Sequence, residues 1–90
     1  MRTNYLKSVF WEYPQFQKEG YLSQSIKESR LKNDRGLLKW IMVRFLEYGR
    51  VVDTLKYFSL DEISEMLPSL RLSNYTRRKW LRLIEVYRDS

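Results

Sequence analysis

Residues 34–49 read DRGLLKWIMVRFLEYG, and this stretch decides the fold. Asp34 is a capping residue placed just before apolar residues at helical spacing: Leu38, Ile41, Met42, Phe45, Leu46 and Tyr48. Leu37 and Trp40 widen that stripe, while Lys39, Arg44 and Glu47 fall on the other side. Gly49 stands where a left-handed glycine ends a helix. The pattern predicts a helix from about Arg35 to Tyr48. So broad a stripe belongs to a central helix with neighbours on several sides.

Toward the carboxyl end, Val51, Val52, Leu55 and Phe58 form a second amphipathic turn and a half. Ser59-Leu60-Asp61-Glu62 is a capping box, with Glu62 placed to reach back and Phe58 and Ile63 spaced as a hydrophobic staple. Asp61, Glu62 and Glu65 suit the positive end of that helix, and Pro68 ends or bends it after Leu67. Ser73 or Asn74 can cap a last helix to about Arg88. Trp80, Leu81, Ile84 and Tyr87 would face inward, with Arg77, Arg78, Arg82 and Arg88 outward or at the edges.

Toward the amino end the pattern is weaker. Tyr5, Phe10, Trp11, Tyr13 and Phe16 crowd one segment. Thr3 or Asn4 could cap a helix to about Glu12, before Pro14, with Leu6, Val9 and Phe10 on one face; an extended reading is the alternative. Residues 22–32, around Leu22, Ile26 and Leu31, read as one short helix or an ordered loop. Asn33-Asp34-Arg35-Gly36 then punctuates the chain. The expectation is an all-α single domain over residues 1–90, a bundle of about four to six helices. Residues 34–88 are its helical core, residues 1–33 an aromatic and basic segment, and the C-terminal half has the cadence of a helix-turn-helix.

Composition narrows the function. The chain has no Cys and no His, so disulfides, thiolate metal sites and histidine general bases are absent. Gly20, Gly36 and Gly49 lie too far apart for a phosphate loop, and no carboxylate run forms a cation loop. The expectation is a protein that is not an enzyme and has no cofactor and no metal. No apolar stretch approaches the ~20 residues of a membrane span, and residues 1–5 lack a signal-like apolar run, so the cytoplasm is the expected location. A net charge of +6 favours an acidic partner. That charge is zoned: residues 1–45 carry nine basic and four acidic side chains, residues 46–69 two and five, residues 70–90 six and two.

Three features stand out as binding surfaces. Phe10, Trp11 and Tyr13 could anchor a protein partner, since Trp and Tyr dominate interface hot spots; the alternative is that they cover the core. Asn74, Thr76, Arg77, Arg78, Lys79 and Arg82 open the last helix as a recognition helix opens, with Asn suited to adenine and Arg to guanine, and Tyr75 to sugar edges. Against that, Pro68 to Ser73 is long for a tight turn, and the basic run could be a solvated face. Lys27, Arg30, Lys32 and Arg35 form a further basic cluster, suited to phosphate or an acidic surface, or simply solvated.

The chain resembles a family of small bacterial proteins of unknown function. The likeness is carried by Phe10-Trp11-Glu12, by Ile41, Arg44, Leu46 and Gly49 at a helix end, by Asp53 with Tyr57-Phe58, by Glu62-Ile63 and by Leu70-Arg71. It departs at Pro68 and in the basic Arg77-Arg78-Lys79 run. Genes of that family are often found beside AbiEii-type nucleotidyltransferase toxins. The resemblance therefore implies an antitoxin-like role, with a nucleotidyltransferase toxin as protein partner, repression of its own operon through DNA, or both.

Overall fold

The structure, a computed structural model, describes residues 5–88 and is all-helical, with no strand among the described residues. Six α-helices follow in order: α1 Leu6–Val9, α2 Glu19–Leu31, α3 Arg35–Tyr48, α4 Val51–Thr54, α5 Leu60–Met66 and α6 Asn74–Arg88. Two 3₁₀ turns, Pro14–Gln17 and Leu67–Ser69, start at or beside the two prolines. Proline has no N–H to give a helix interior, so both segments are confined to single turns.

Helix α3 is the hub, packing against α1, α2, α4 and α6. Leu38, Ile41, Met42, Phe45 and Leu46 are buried, as the apolar spacing requires. Asp34 caps it, its carboxylate accepting the Leu37 N–H at 3.2 Å. The corner before α3 is equally determined. Asn33 is the one described non-glycine residue at positive φ (56°), with its N–H on Arg30 O and the Asp34 N–H on Ser29 O. That is a Schellman end for α2, run directly into the cap of α3.

Gly49 ends α3 for a different reason from the expected one. Its backbone is extended (φ −94°, ψ 168°), not left-handed. A Cβ there would lie 2.9 Å from Phe45 O and 3.3 Å from Val9 Cγ2. Glycine fits here because a side chain would crowd the Phe45 carbonyl of the same helix first, and then Val9 of α1.

Helix α2 begins at Glu19, three residues earlier than the apolar spacing suggests, and is a full helix with Leu22 and Ile26 buried. The first helix is much shorter than expected. It stops at Val9, and residues 10–13 turn before the Pro14 segment, so neither a helix to Glu12 nor a strand forms. Its supposed caps, Thr3 and Asn4, lie outside the described residues.

After Gly49 the expected apolar face holds only in part: Val51 and Phe58 pack on the core. Val52 and Leu55 are exposed, whereas Asp53 and Thr54 are buried. The Thr54 hydroxyl donates a hydrogen bond to Arg50 O at 2.8 Å, and Asp53 holds Arg50 (2.9 Å) and Lys56 (3.6 Å). Ser59 caps α5 through Glu62 N–H at 3.1 Å, and Phe58 and Ile63 are both buried. The Glu62 side chain does not reach back to Ser59. It pairs instead with Arg30 at 2.7 Å, while Arg30 also donates to Tyr57 O, tying α2 to the start of α5.

Helix α6 docks through Thr76, Trp80 and Ile84. Leu81 and Tyr87, expected inward, are half-exposed: Leu81 lies on the face turned away from buried Trp80 and Ile84, and at Tyr87 the last turn extends past the bundle, with Glu85 and Val86 also exposed. The side chain of Arg88 lies outside the described set. Seven residues, 67 to 73, separate α5 from α6, against the three or four of a tight helix-turn-helix.

Candidate functional site

Three residues of α3 at four-residue spacing, Trp40, Arg44 and Tyr48, share one face. Against this face the chain lays residues 9–13. Phe10 N–H closes α1 on Leu6 O at 2.8 Å, and Phe10 O then takes Tyr13 N–H (3.0 Å) and Gln17 Nε2 (2.9 Å). The turn so fixed sends neighbouring aromatics opposite ways. Phe10 goes inward, against Phe16, Trp40 and Phe45, and Trp11 goes outward.

Arg44 joins the two sides. Its Nε donates to Val9 O at 2.9 Å, the carbonyl that ends α1, and a second nitrogen pairs with Glu12 at 3.2 Å. Five rings surround the guanidinium: Trp11 at 4.3 Å, Tyr48 at 5.0 Å, Tyr13 at 5.6 Å, Trp40 at 5.8 Å and Phe10 at 5.9 Å. Only 13% of this side chain is exposed, so Arg44 is no solvated residue of an outer face as its position in the pattern suggests. A desolvated cation over ring faces is a favourable arrangement, worth on the order of 1–2 kcal/mol.

The outer rim of this cluster is available to a partner. Trp11 is 52% exposed and Tyr48 50%, and their rings meet edge to face at 4.8 Å. Tyr13 contributes less surface, being half-buried edge-on against Trp40 at 5.0 Å. Phe10 has no exposed surface, so it belongs to the core and leaves the partner-contact set.

Beside Tyr48 lies a concavity of about 530 Å³ lined by Tyr5, Ser8, Gly49, Arg50, Asp53 and Lys56. Buried Asp53 fixes Arg50 and Lys56 at its edge, leaving one net positive charge. Lys56 also sits over the Tyr5 ring at 4.6 Å. The Tyr5 and Tyr57 hydroxyls are 2.8 Å apart. Burial is the main cause that pushes both phenols up; for Tyr5 the Tyr57 hydroxyl and then Glu19 add to it, and for Tyr57 Glu19 and Asp53 add to it against the bond from Tyr5, so both act as neutral hydrogen-bonding groups.

The residues expected to touch nucleic acid divide. Thr76 is buried and donates its hydroxyl to Glu47 at 2.7 Å. Arg77 turns back to donate to Leu67 O and Leu70 O, satisfying carbonyls of the α5–α6 connection. Neither is presented to a ligand. Lys79 is half-buried, its charge acting on Glu47. Asn74, Arg78 and Arg82 are exposed. In the other basic cluster Arg30 is engaged by Glu62, while Lys27, Lys32 and Arg35 are exposed.

Glu47, one residue before Tyr48, secures α6 to α3. Its carboxylate accepts from Ser73 N–H (2.6 Å), the Ser73 hydroxyl (3.1 Å) and the Thr76 hydroxyl (2.7 Å) at the positive end of α6. Burial pushes its pKa up. The bonds from Thr76 and Ser73, with Lys79 nearby, outweigh that and hold it below the ordinary carboxylate value. No sequence pattern flags Glu47, whose partners lie 26 and 29 positions away. Arg44 had a signal, an aromatic one helical turn to either side. Compared with known proteins, the chain matches no family model, no curated protein and no solved structure.

Proposed function

We propose that this chain is a non-enzymatic protein-binding module of the cytoplasm, antitoxin-like in that it binds and neutralises a partner toxin protein. Its contact surface is the Trp11–Tyr48 corner. One observation carries the reading: two large aromatics, each half in solvent, are held in a fixed edge-to-face pair by a cation beneath them. Held rings lose little entropy on binding, and Trp and Tyr of this kind supply most of the energy in protein interfaces. The adjoining concavity, with Arg50 and Lys56 at its edge, suits an acidic side chain of the partner. The antitoxin assignment itself is drawn from the resemblance carried by Phe10-Trp11-Glu12, Arg44 and Gly49.

The test is co-expression with the product of the adjacent gene, followed by calorimetry on the purified pair. A stable complex is expected, inhibiting that partner's activity. Trp11→Ala or Tyr48→Ala should each weaken it by on the order of 2 kcal/mol, about 30-fold. No complex, or a double variant with unchanged helicity that binds as tightly as wild type, would overturn the proposal.

A further inference from the structure

Helix α6 is docked by one face only. Thr76, Trp80 and Ile84 point into the bundle, and Arg77 and Ser73 are tied to neighbouring backbone and to Glu47. On the opposite face Asn74, Tyr75, Arg78, Leu81, Arg82, Glu85 and Val86 are all exposed. Asn74, Arg78 and Arg82 recur at four-residue spacing. They therefore form one row about 12 Å long, at 1.5 Å rise per residue.

Among the described residues, Arg78 and Arg82 make no ion pair and no hydrogen bond. Tyr75, 76% exposed, stands beside the row. Half-buried Lys79 flanks it on the helix, and Glu85 closes its carboxyl end. Glu47 already occupies the amino end of the helix, so an anion would be met by side chains and not by the helix terminus.

We propose that this outer face of α6, Asn74–Arg78–Arg82 with Tyr75, is a surface for double-stranded DNA. Each residue type has a use there. Arginine forks match phosphate oxygens and the guanine edge, asparagine matches adenine, and a tyrosine ring packs on sugar. A helix fits the ~12 Å width of a major groove, where the residues toward its amino end, such as Asn74 and Arg78, would meet base edges and those further along the phosphates. Acidic protein would be served by the same two cations but gives no particular role to Asn74, whereas adenine does. The surface is separate from the Trp11–Tyr48 corner, and the inference does not depend on that corner's function.

The experiment is fluorescence anisotropy with a labelled 20-bp mixed-sequence duplex, and with a 20-nucleotide single-stranded DNA and RNA, from 50 to 200 mM KCl. The wild type should bind the duplex in preference to either single strand, with affinity that falls steeply with salt. Arg78→Ala/Arg82→Ala should bind at least tenfold more weakly at 50 mM, its log–log salt slope smaller by about 1.8, two phosphate contacts' worth. Lys27→Ala/Lys32→Ala removes the same charge elsewhere and should bind within about twofold of wild type, as should Trp11→Ala. Equal losses in the two double variants would mean diffuse attraction and overturn the site. Tighter binding of either single strand, or unchanged binding by Arg78→Ala/Arg82→Ala, would overturn the duplex assignment.

Discussion

Replacing Arg44 by Met tests whether a cation holds the amino-terminal segment to α3. Methionine keeps an unbranched stem of similar length and removes the charge and both donors. Val9 O then loses its partner in a largely buried place, about 1–2 kcal/mol. Contacts with Trp11 and Tyr48, the two nearest rings, supply about 1–2 kcal/mol more. The exposed Glu12 pair adds only a few tenths. Releasing a nearly enclosed charge returns part of its desolvation cost, which draws the net loss toward about 2 kcal/mol.

Urea unfolding followed by far-ultraviolet circular dichroism measures this, with an unchanged m-value required so that stability alone is compared. In a thermal melt the same loss is a fall of roughly 8–16 °C for a domain of this size. Arg44→Lys keeps the charge but not the planar fork that serves Val9 O and Glu12 together, so it should lie between wild type and Met. Stabilities in the order Arg, Lys, Met support a cationic clamp. A Met variant as stable as wild type would refute it and leave ring packing as the only tie.

Three further outcomes follow from single residues. Glu47→Gln should flatten the acid limb of the stability curve. Glu47's folded pKa is lowered, so its contribution is present above its ordinary value near 4.5 and is lost as pH falls through the folded value; unfolding midpoints from pH 6 to 3 check it. Gly49→Ala should destabilise by about 1–3 kcal/mol through the 2.9 Å approach to Phe45 O, although its φ and ψ suit alanine; a gain in thermal midpoint would contradict that. Trp80→Phe should cost less than the roughly 3 kcal/mol of a large core truncation, because the buried Trp80 Nε1–H lacks an acceptor among the described residues, and denaturant titration gives the figure.

Helices α3, α5 and α6 were legible because each couples an apolar period to a local cap. Asp34 and Ser59 act on N–H groups three residues on, within reach of a pattern read along the chain. What failed to show depends on distant partners. Arg44 and Glu47 look like outward polar residues of α3, and become tertiary ties only because residues 9–13 and 73–76 fold against them. The exposed ends of α6 were misplaced for a related reason: periodicity continues through Tyr87, but the bundle does not extend that far. Gly49 marks the helix stop in the sequence, yet what favours glycine there is the approach of the Phe45 carbonyl and Val9, which no local pattern shows.

Phe10-Trp11-Glu12-Tyr13 shows how closely core and surface are interleaved in a chain this small. Phe10 is fully buried, Trp11 half-exposed, Glu12 paired and Tyr13 edge-on against Trp40. Composition alone offers these aromatics as either core or contact surface, and the turn after Val9 assigns one to each role. Arg44 touches the whole set, so the residue that stabilises the segment also orients its exposed rim. A loss of partner binding in an Arg44 variant therefore carries meaning only beside Trp11→Ala. If the proposed corner is the contact surface, Trp11→Ala lowers affinity by more than it lowers stability, and Arg44→Met lowers both. A partner insensitive to Trp11 but lost with Arg44 would place the contact elsewhere on the fold.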